Sequence, residues 1–224
     1  MRTLGIDGCR GGWIAVAFNT NGVQRFEVFT DIKSALSASD DCTLIDIPIG
    51  LPDTKYRRCD LSAREMLGAA RSRVFLGARR PLLRHLTASD YAGANRWAKC
   101  DGAGISRQLW GILRKIDEVD RVITPDLQGH IREGHPELSF LRTNGGTPVP
   151  KNKKTPDGFA ARIALLKHVG FIDIENWLPK LRGSGAGRDD LLDACALAWS
   201  ARDPQRVACA REKDARGLTM DIWY

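Results

Sequence analysis

"RTLGIDGCRGGWIAVAFNTNGVQRFEVF", residues 2–29, decides the fold. RTLGID (2–7) is short and apolar, GGWIAVAFN (11–19) is a second apolar run, and VQRFEVF (23–29) is a third, with Asn21-Gly22 between the last two. Asn-Gly between strand-like runs is the strongest short-range hairpin signal, because the tight turn that matches strand twist needs positive φ at both central residues. Three consecutive strands are therefore expected over 2–29, the second and third antiparallel. DIKSALSA (31–38) follows as a short helix with Asp31 as its N-cap candidate. CTLIDI (42–47) is a fourth strand, apolar on both faces apart from its end, as in a central parallel strand covered on both sides.

That fourth strand runs into LIDIPIGLP (44–52), where Pro48 and Pro52 cannot extend a central strand and Gly50 permits a sharp turn. The segment 53–130 is expected to be a helical, arginine-rich insertion within a single domain spanning 1–224, with helical periodicity in LSAREMLGAARS and SRQLWGILRKIDEVDRVI. REGHPELSFLRTNGG reads as a brief strand leading into a helix or turn, and NGGTPVPKNKKTP as a loop rich in breakers and lysines. DGFAARIALLKHVG is an amphipathic helix ending at Gly170, and RDDLLDACALAWSARD is a strongly patterned helix with acids in its first turn, where the helix dipole favours them.

The 224 residues have no apolar run near the roughly 20 needed to span a bilayer. The start, MRTLGIDGCRGG, enters a strand with no secretory h-region, so a cytoplasmic protein without a membrane partner is expected. The six cysteines are scattered singly, with no Cys/His cluster at zinc spacing, and read as reduced core fillers. Net charge is +7. Between Lys55 and Lys115 stand 14 Lys and Arg against four acids, whereas the remainder is net −3, so the basic excess belongs to one segment and points to an anionic partner.

Several acids stand in unusual places. Asp7 falls at the end of the first strand, Asp46 at the end of the fourth, Glu137 in GHPELSF, and Asp189, Asp190 and Asp193 at the start of the last helix. Each has an ordinary explanation: Asp7 can cap the turn into GCRGG, Asp189 and Asp190 can serve as N-cap and first-turn residues, and Glu137 as a first-turn acid. Asp46 is harder to dismiss, since an ionised carboxylate at the end of an apolar strand costs several kcal/mol when dry and unpaired. Asp190 and Asp193 share a helix face at i,i+3 and repel unless something positive lies between them. In conjunction these carboxylates are the oxygen donors that a hard divalent cation requires. Cation charge would offset the desolvation of Asp46.

Taken together, GIDGCRGGWIA, DIPIGLP, RRCDLSAREMLG with RSRVF, HPELSF and RDDLLDACALA resemble a bacterial and archaeal domain-of-unknown-function family described as a predicted nuclease of ribonuclease-H-like fold. The resemblance runs from Gly5 to about Trp199. DLLDACALA is also similar to the last-helix motif of Holliday-junction resolvases of that fold, with Asp190 and Asp193 at its two acids, and GIDG matches the first-strand motif at Asp7. Resolvases carry glutamate on the fourth strand where this chain has Asp46. The resemblance implies an α/β fold with a mixed five-stranded sheet, strands one to three antiparallel and the rest parallel, flanked by helices.

The function expected is a magnesium- or manganese-dependent nuclease. Asp7, Asp46, Asp190 and Asp193 would hold the cations, Glu137 would be a further ligand or a base, and Arg58, Arg64, Arg71 and Arg73 would hold nucleic-acid phosphates. His135, ahead of Pro136, is expected to be a turn residue that could assist proton transfer. Two other classes compete. A non-catalytic nucleic-acid or protein-binding module of the same fold would use the acids structurally, and a phosphotransferase of the actin and sugar-kinase kind shares the Gly-Asp-Gly first strand but pairs two such domains.

Overall fold

β1 (Arg2–Cys9) and β2 (Gly12–Asn19) form an antiparallel hairpin around Arg10 and Gly11, with Leu4 opposite Ala17 and Asp7 opposite Ile14. This is seen in a computed structural model that describes residues 2–19, 22, 24–38, 41–87 and 89–224. β2 pairs antiparallel with β3 (Gln24–Phe29), completing the meander. Of the expected Asn-Gly turn, Asn21 lies outside the described residues, as does Val23 at the start of the expected third strand. α1 (Ile32–Leu36) begins as anticipated, the Asp31 carboxylate accepting the Ser34 N–H at 2.9 Å.

β4 (Cys42–Ile45) then enters parallel to β1, Gly5 opposite Leu44 and Ile6 opposite Ile45. β5 (Ile131–Glu133) adds parallel to β4 on its far side. The order β3-β2-β1-β4-β5 is the expected mixed sheet, antiparallel over its first three strands and parallel thereafter. All four residues of β4 are buried, as a doubly covered central strand requires. The strand is two residues shorter than CTLIDI implied, because the Ile47 N–H turns back to the Ile45 carbonyl at 2.8 Å and closes a three-residue turn on Asp46.

The helices are α2 (Arg58–Leu67), α3 (Tyr91–Cys100), α4 (Arg107–Val122), α5 (Pro136–Thr143), α6 (Pro156–His168), the short α7 (Ile174–Trp177) and α8 (Arg188–Ser200). Segments of 3-10 helix cover Gly68–Arg73 and Arg80–Leu86. α2 stops inside the periodic run LSAREMLGAARS because Gly68 turns to φ +51°. No helix among the described residues is long and apolar enough to cross a membrane.

Two compact units divide the chain. The first comprises Met1–Ile47, His130–Arg206 and Trp223–Tyr224, and holds the sheet with α1 and α5 to α8. Its core joins Ile14, Val16 and Phe18 of β2 to Phe140, Leu166, Phe171 and the apolar residues of α8. Every residue of α8 from Leu191 to Ala198 is buried, which identifies it as the central helix rather than a surface one. The second unit, Pro48–Gly129 with Val207–Ile222, holds α2 to α4. Its interior is stitched by charge: Arg57 to Asp60 at 2.5 Å, Arg79 to Asp101 at 2.6 Å, and Arg80 to both Asp120 and Asp214 at 2.5 Å.

Candidate metal centre

Alternation along β1 puts Thr3, Gly5 and Asp7 on one face of the sheet. α8 lies directly on that face. Thr3 Oγ1 donates to the Ala198 carbonyl at 2.9 Å, and a Cβ placed on Gly5 would run into the backbone of Ala194 and Ala198. Two residues of strand advance about 6.6 Å and one helical turn about 5.4 Å, so the next residue on this face, Asp7, comes level with the turn of α8 that precedes Ala194. Asp193 belongs to that turn. Asp46 is brought alongside by the parallel ladder, its own N–H donating to the Ile6 carbonyl at 2.9 Å one residue beyond β4.

Asp7, Asp46 and Asp193 each offer a carboxylate oxygen, and these atoms all lie within 4.8 Å of one another. Asp7 is 8% exposed and Asp193 1%, while Asp46 is half-buried. Asp7 Oδ1 accepts the N–H of Gly8 at 2.7 Å. Asp193 Oδ2 accepts from the Lys153 ammonium, but Asp193 Oδ1 is buried with no hydrogen-bond partner. A buried carboxylate oxygen left in that state costs free energy unless a cation supplies the missing contact.

The protonation equilibria show the same crowding. Burial, followed by the charges of Asp46 and Asp193, pushes the Asp7 carboxyl well above its ordinary range. Burial and then Asp193 push Asp46 up to about 8. Burial also raises Asp193, to about 6, with Lys153 pulling against it. Burial would pull the Lys153 ammonium down, but Asp193, Asp7 and Asp46 more than offset it and hold the lysine firmly charged.

These residues could hold a metal ion. Hard cations take oxygen ligands at about 2.0–2.6 Å, which places ligand oxygens roughly 3–5 Å apart around the ion, and the 4.8 Å spread of this trio falls in that range. Three carboxylates against one ammonium leave two negative charges when all are ionised, the complement of a divalent ion. The orphaned Asp193 Oδ1 is where such an ion has most to offset.

The other expected site residues are placed differently. Asp190 Oδ2 accepts the Gly187 N–H at 2.8 Å and so caps the start of α8, one arm of a capping box because Gly187 has no side chain of its own. Its charge still reaches Asp7. Glu137, in the first turn of α5, is buried and accepts from the Arg162 guanidinium at 2.7 Å, while its charge acts on Asp46 and Asp193. His135 is the residue ahead of α5, its backbone N–H donating to Trp223 at 3.1 Å. Arg58, Arg64, Arg71 and Arg73 belong to the second compact unit. There Arg58 pairs with Glu212 at 2.9 Å on the surface, Arg64 donates to the Val74 carbonyl at 2.8 Å, and Arg71 and Arg73 lie in the 3-10 segment, Arg71 exposed.

Three residues that shape the centre were not expected from the sequence: Lys153, Arg162 and Glu133. Lys153 comes from the lysine-rich loop KNKK, where composition cannot tell which ammonium turns inward. Arg162 carried a usable signal, an arginine on a helix side that is otherwise buried. It is 1% exposed and bonds Glu137, the Gly158 carbonyl and the Lys151 carbonyl, tying the lysine loop to α5 and α6. Glu133, the last residue of β5, adds negative charge to Asp46.

Residues 5–215 match the family described as "Protein of unknown function (DUF429)", and the chain belongs to it. No curated protein and no solved structure matches.

Proposed function

We propose that this DUF429 protein is a divalent-cation-dependent phosphodiesterase acting on nucleic acid, with Asp7, Asp46 and Asp193 as ligands for Mg2+ or Mn2+. The observation that carries the proposal is the convergence of three carboxylates, from the first strand, the end of the fourth strand and the last long helix, with the Lys153 ammonium hydrogen-bonded to one of them. When bound, such an ion supplies Lewis-acid polarisation of a phosphoryl oxygen and offsets charge that develops in the transition state.

The chain's own residues then have separate tasks. Asp7 stands on β1 and Asp46 one residue beyond the adjacent parallel β4, tied to β1 by its own N–H to the Ile6 carbonyl, so their separation is set by backbone hydrogen bonds rather than by flexible side chains. Lys153 fixes the direction of Asp193 by holding one of its two oxygens. Glu137 is engaged by Arg162 and Asp190 by Gly187, so both act on the centre as fixed charges. Exposed arginines of the second unit would hold backbone phosphates without reading sequence.

The test is cleavage of single-stranded and duplex DNA and RNA with Mn2+ or Mg2+, alongside a crystal soaked in Mn2+. Asp46→Asn and Asp193→Asn should each reduce cleavage to background and remove the Mn2+ peak. Parental cleavage by either variant would overturn the assignment. One observation favours a second reading, a binding module whose acids are structural: the Lys153 ammonium already donates to one of the carboxylates a cation would use. On that reading Mn2+ does not bind, and the fold depends on Lys153 whether or not metal is added.

A further inference from the structure

Between the starts of α6 and α8 lies a cavity of about 510 Å3, with Lys153, Lys154, Thr155, Phe159, Arg188 and Asp189 in its wall. Its size falls within the roughly 300–1,000 Å3 of small-molecule sites. Lys154 and Arg188 face it against Asp189, an excess of one positive charge that the acidic centre does not use, while Lys153 is already engaged by Asp193. The Arg188 guanidinium lies 3.9 Å from the Phe159 ring centre, a stacked pair that presents a flat, cationic surface. Lys153 links this cavity to the centre described above, since the same ammonium that lines it donates to Asp193.

Fixed cations suit a phosphate, and a flat cationic surface suits a nucleobase, since bases stack on aromatic rings and guanidinium planes with little regard to sequence. We propose that this cavity takes one nucleotide unit of a single-stranded nucleic acid, its phosphate against Lys154 and Arg188 and its base against the Arg188–Phe159 pair. The proposal rests on the phosphodiesterase reading for its substrate class, and it places one unit of the strand a single side chain from the cation ligands. The arginines of the second unit are not needed for this contact.

The experiment is binding of a thymidine tetranucleotide and, separately, of inorganic phosphate to the full chain in EDTA, compared with the double variant Lys154→Glu/Arg188→Glu. Both residues are exposed and lie at or just before a helix start, where an added acid favours the helix dipole, so folding should survive and a thermal melt will check it. The tetranucleotide should bind the parent more tightly than phosphate does. The double variant should bind it at least tenfold more weakly, with a salt slope flatter by about 0.7 for each phosphate that is no longer neutralised. Phe159→Leu should weaken the tetranucleotide and leave phosphate unaffected. Unchanged tetranucleotide affinity in the double variant overturns the proposal, and phosphate binding as tightly as the tetranucleotide makes the cavity a free-anion site and overturns it too. Equal tetranucleotide binding by Phe159→Leu overturns the base contact. The two proposals can fail apart: weakened binding in the variant of a parent that never cleaves leaves the cavity standing, whereas cleavage with unaltered binding leaves only the phosphodiesterase.

Discussion

At Asp46, burial and neighbouring charge act in the same direction, raising its carboxyl to about 8, far above the value near 4 of an unfolded chain. The folded protein therefore holds a proton that the unfolded chain releases, and stability falls as pH rises from about 4 to about 8. Asp7 and Asp193, raised for the same first reason, add to that slope. In EDTA the melting temperature should drop across this window, Asp46→Asn should make the drop shallower, and added Mn2+ should oppose it increasingly as pH rises. A parental slope in Asp46→Asn would show that the carboxyl is not held protonated. Lys153→Met is the converse change, since it leaves Asp193 buried without its counter-ion. Breaking a buried pair by removing one partner costs about 3–5 kcal/mol, and the lower end applies here because the lysine side chain is 33% exposed. Chemical denaturation at pH 8 should show that loss without metal and part of it restored with Mn2+.

The elements bring these residues together through one close approach. α8 can seat on β1 because Gly5 has no side chain, and the Thr3 hydroxyl then anchors the helix to the strand one pleat away. Gly5→Ala puts a methyl against helix backbone that cannot rotate aside, and overpacking of this kind costs typically 1–3 kcal/mol or more. The larger consequence concerns the site, because any outward shift of α8 carries Asp193 away from Asp7 and Asp46. Mn2+ affinity should thus fall further than the melting temperature alone would explain, and a variant that keeps full Mn2+ affinity would show that α8 does not set the ligand spacing. The hairpin, the parallel fourth strand and the Asp31 cap were all legible in the sequence, because alternation, apolar runs and capping are local patterns. The end of β4 was not, since nothing in CTLIDI shows that Ile47 turns back onto Ile45.

Across the whole molecule, the net charge of +7 overstates what is available to a partner. Arg57 and Arg79 are 2% and 0% exposed and paired with Asp60 and Asp101, so they belong to the interior of the second unit. Arg79→Ala should therefore lower the melting temperature, because it takes the guanidinium donor from the carbonyls of Gly77, Ala98 and Ala103 and empties a fully buried position. Arg58→Ala combined with Arg71→Ala should instead leave the melting temperature nearly unchanged. On duplex DNA that pair should flatten the dependence of log affinity on log salt by about 0.9 for each phosphate the two arginines had neutralised. An unaltered slope would remove those two arginines from the footprint. By itself the sequence determined the antiparallel pairing of the second and third strands, the central fourth strand and the unusual stations of its acids, because hydrophobic period and the cost of a carboxylate beside an apolar strand can be read along the chain. Only the tertiary structure decided between Asp190 and Asp193, which share a helix face: one turns back to cap its own helix, the other meets Asp7, Asp46 and Lys153. It also decided which arginines are interior and which lysine turns toward the acids. Such choices depend on desolvation and on groups that arrive from distant parts of the chain, and no local pattern encodes them.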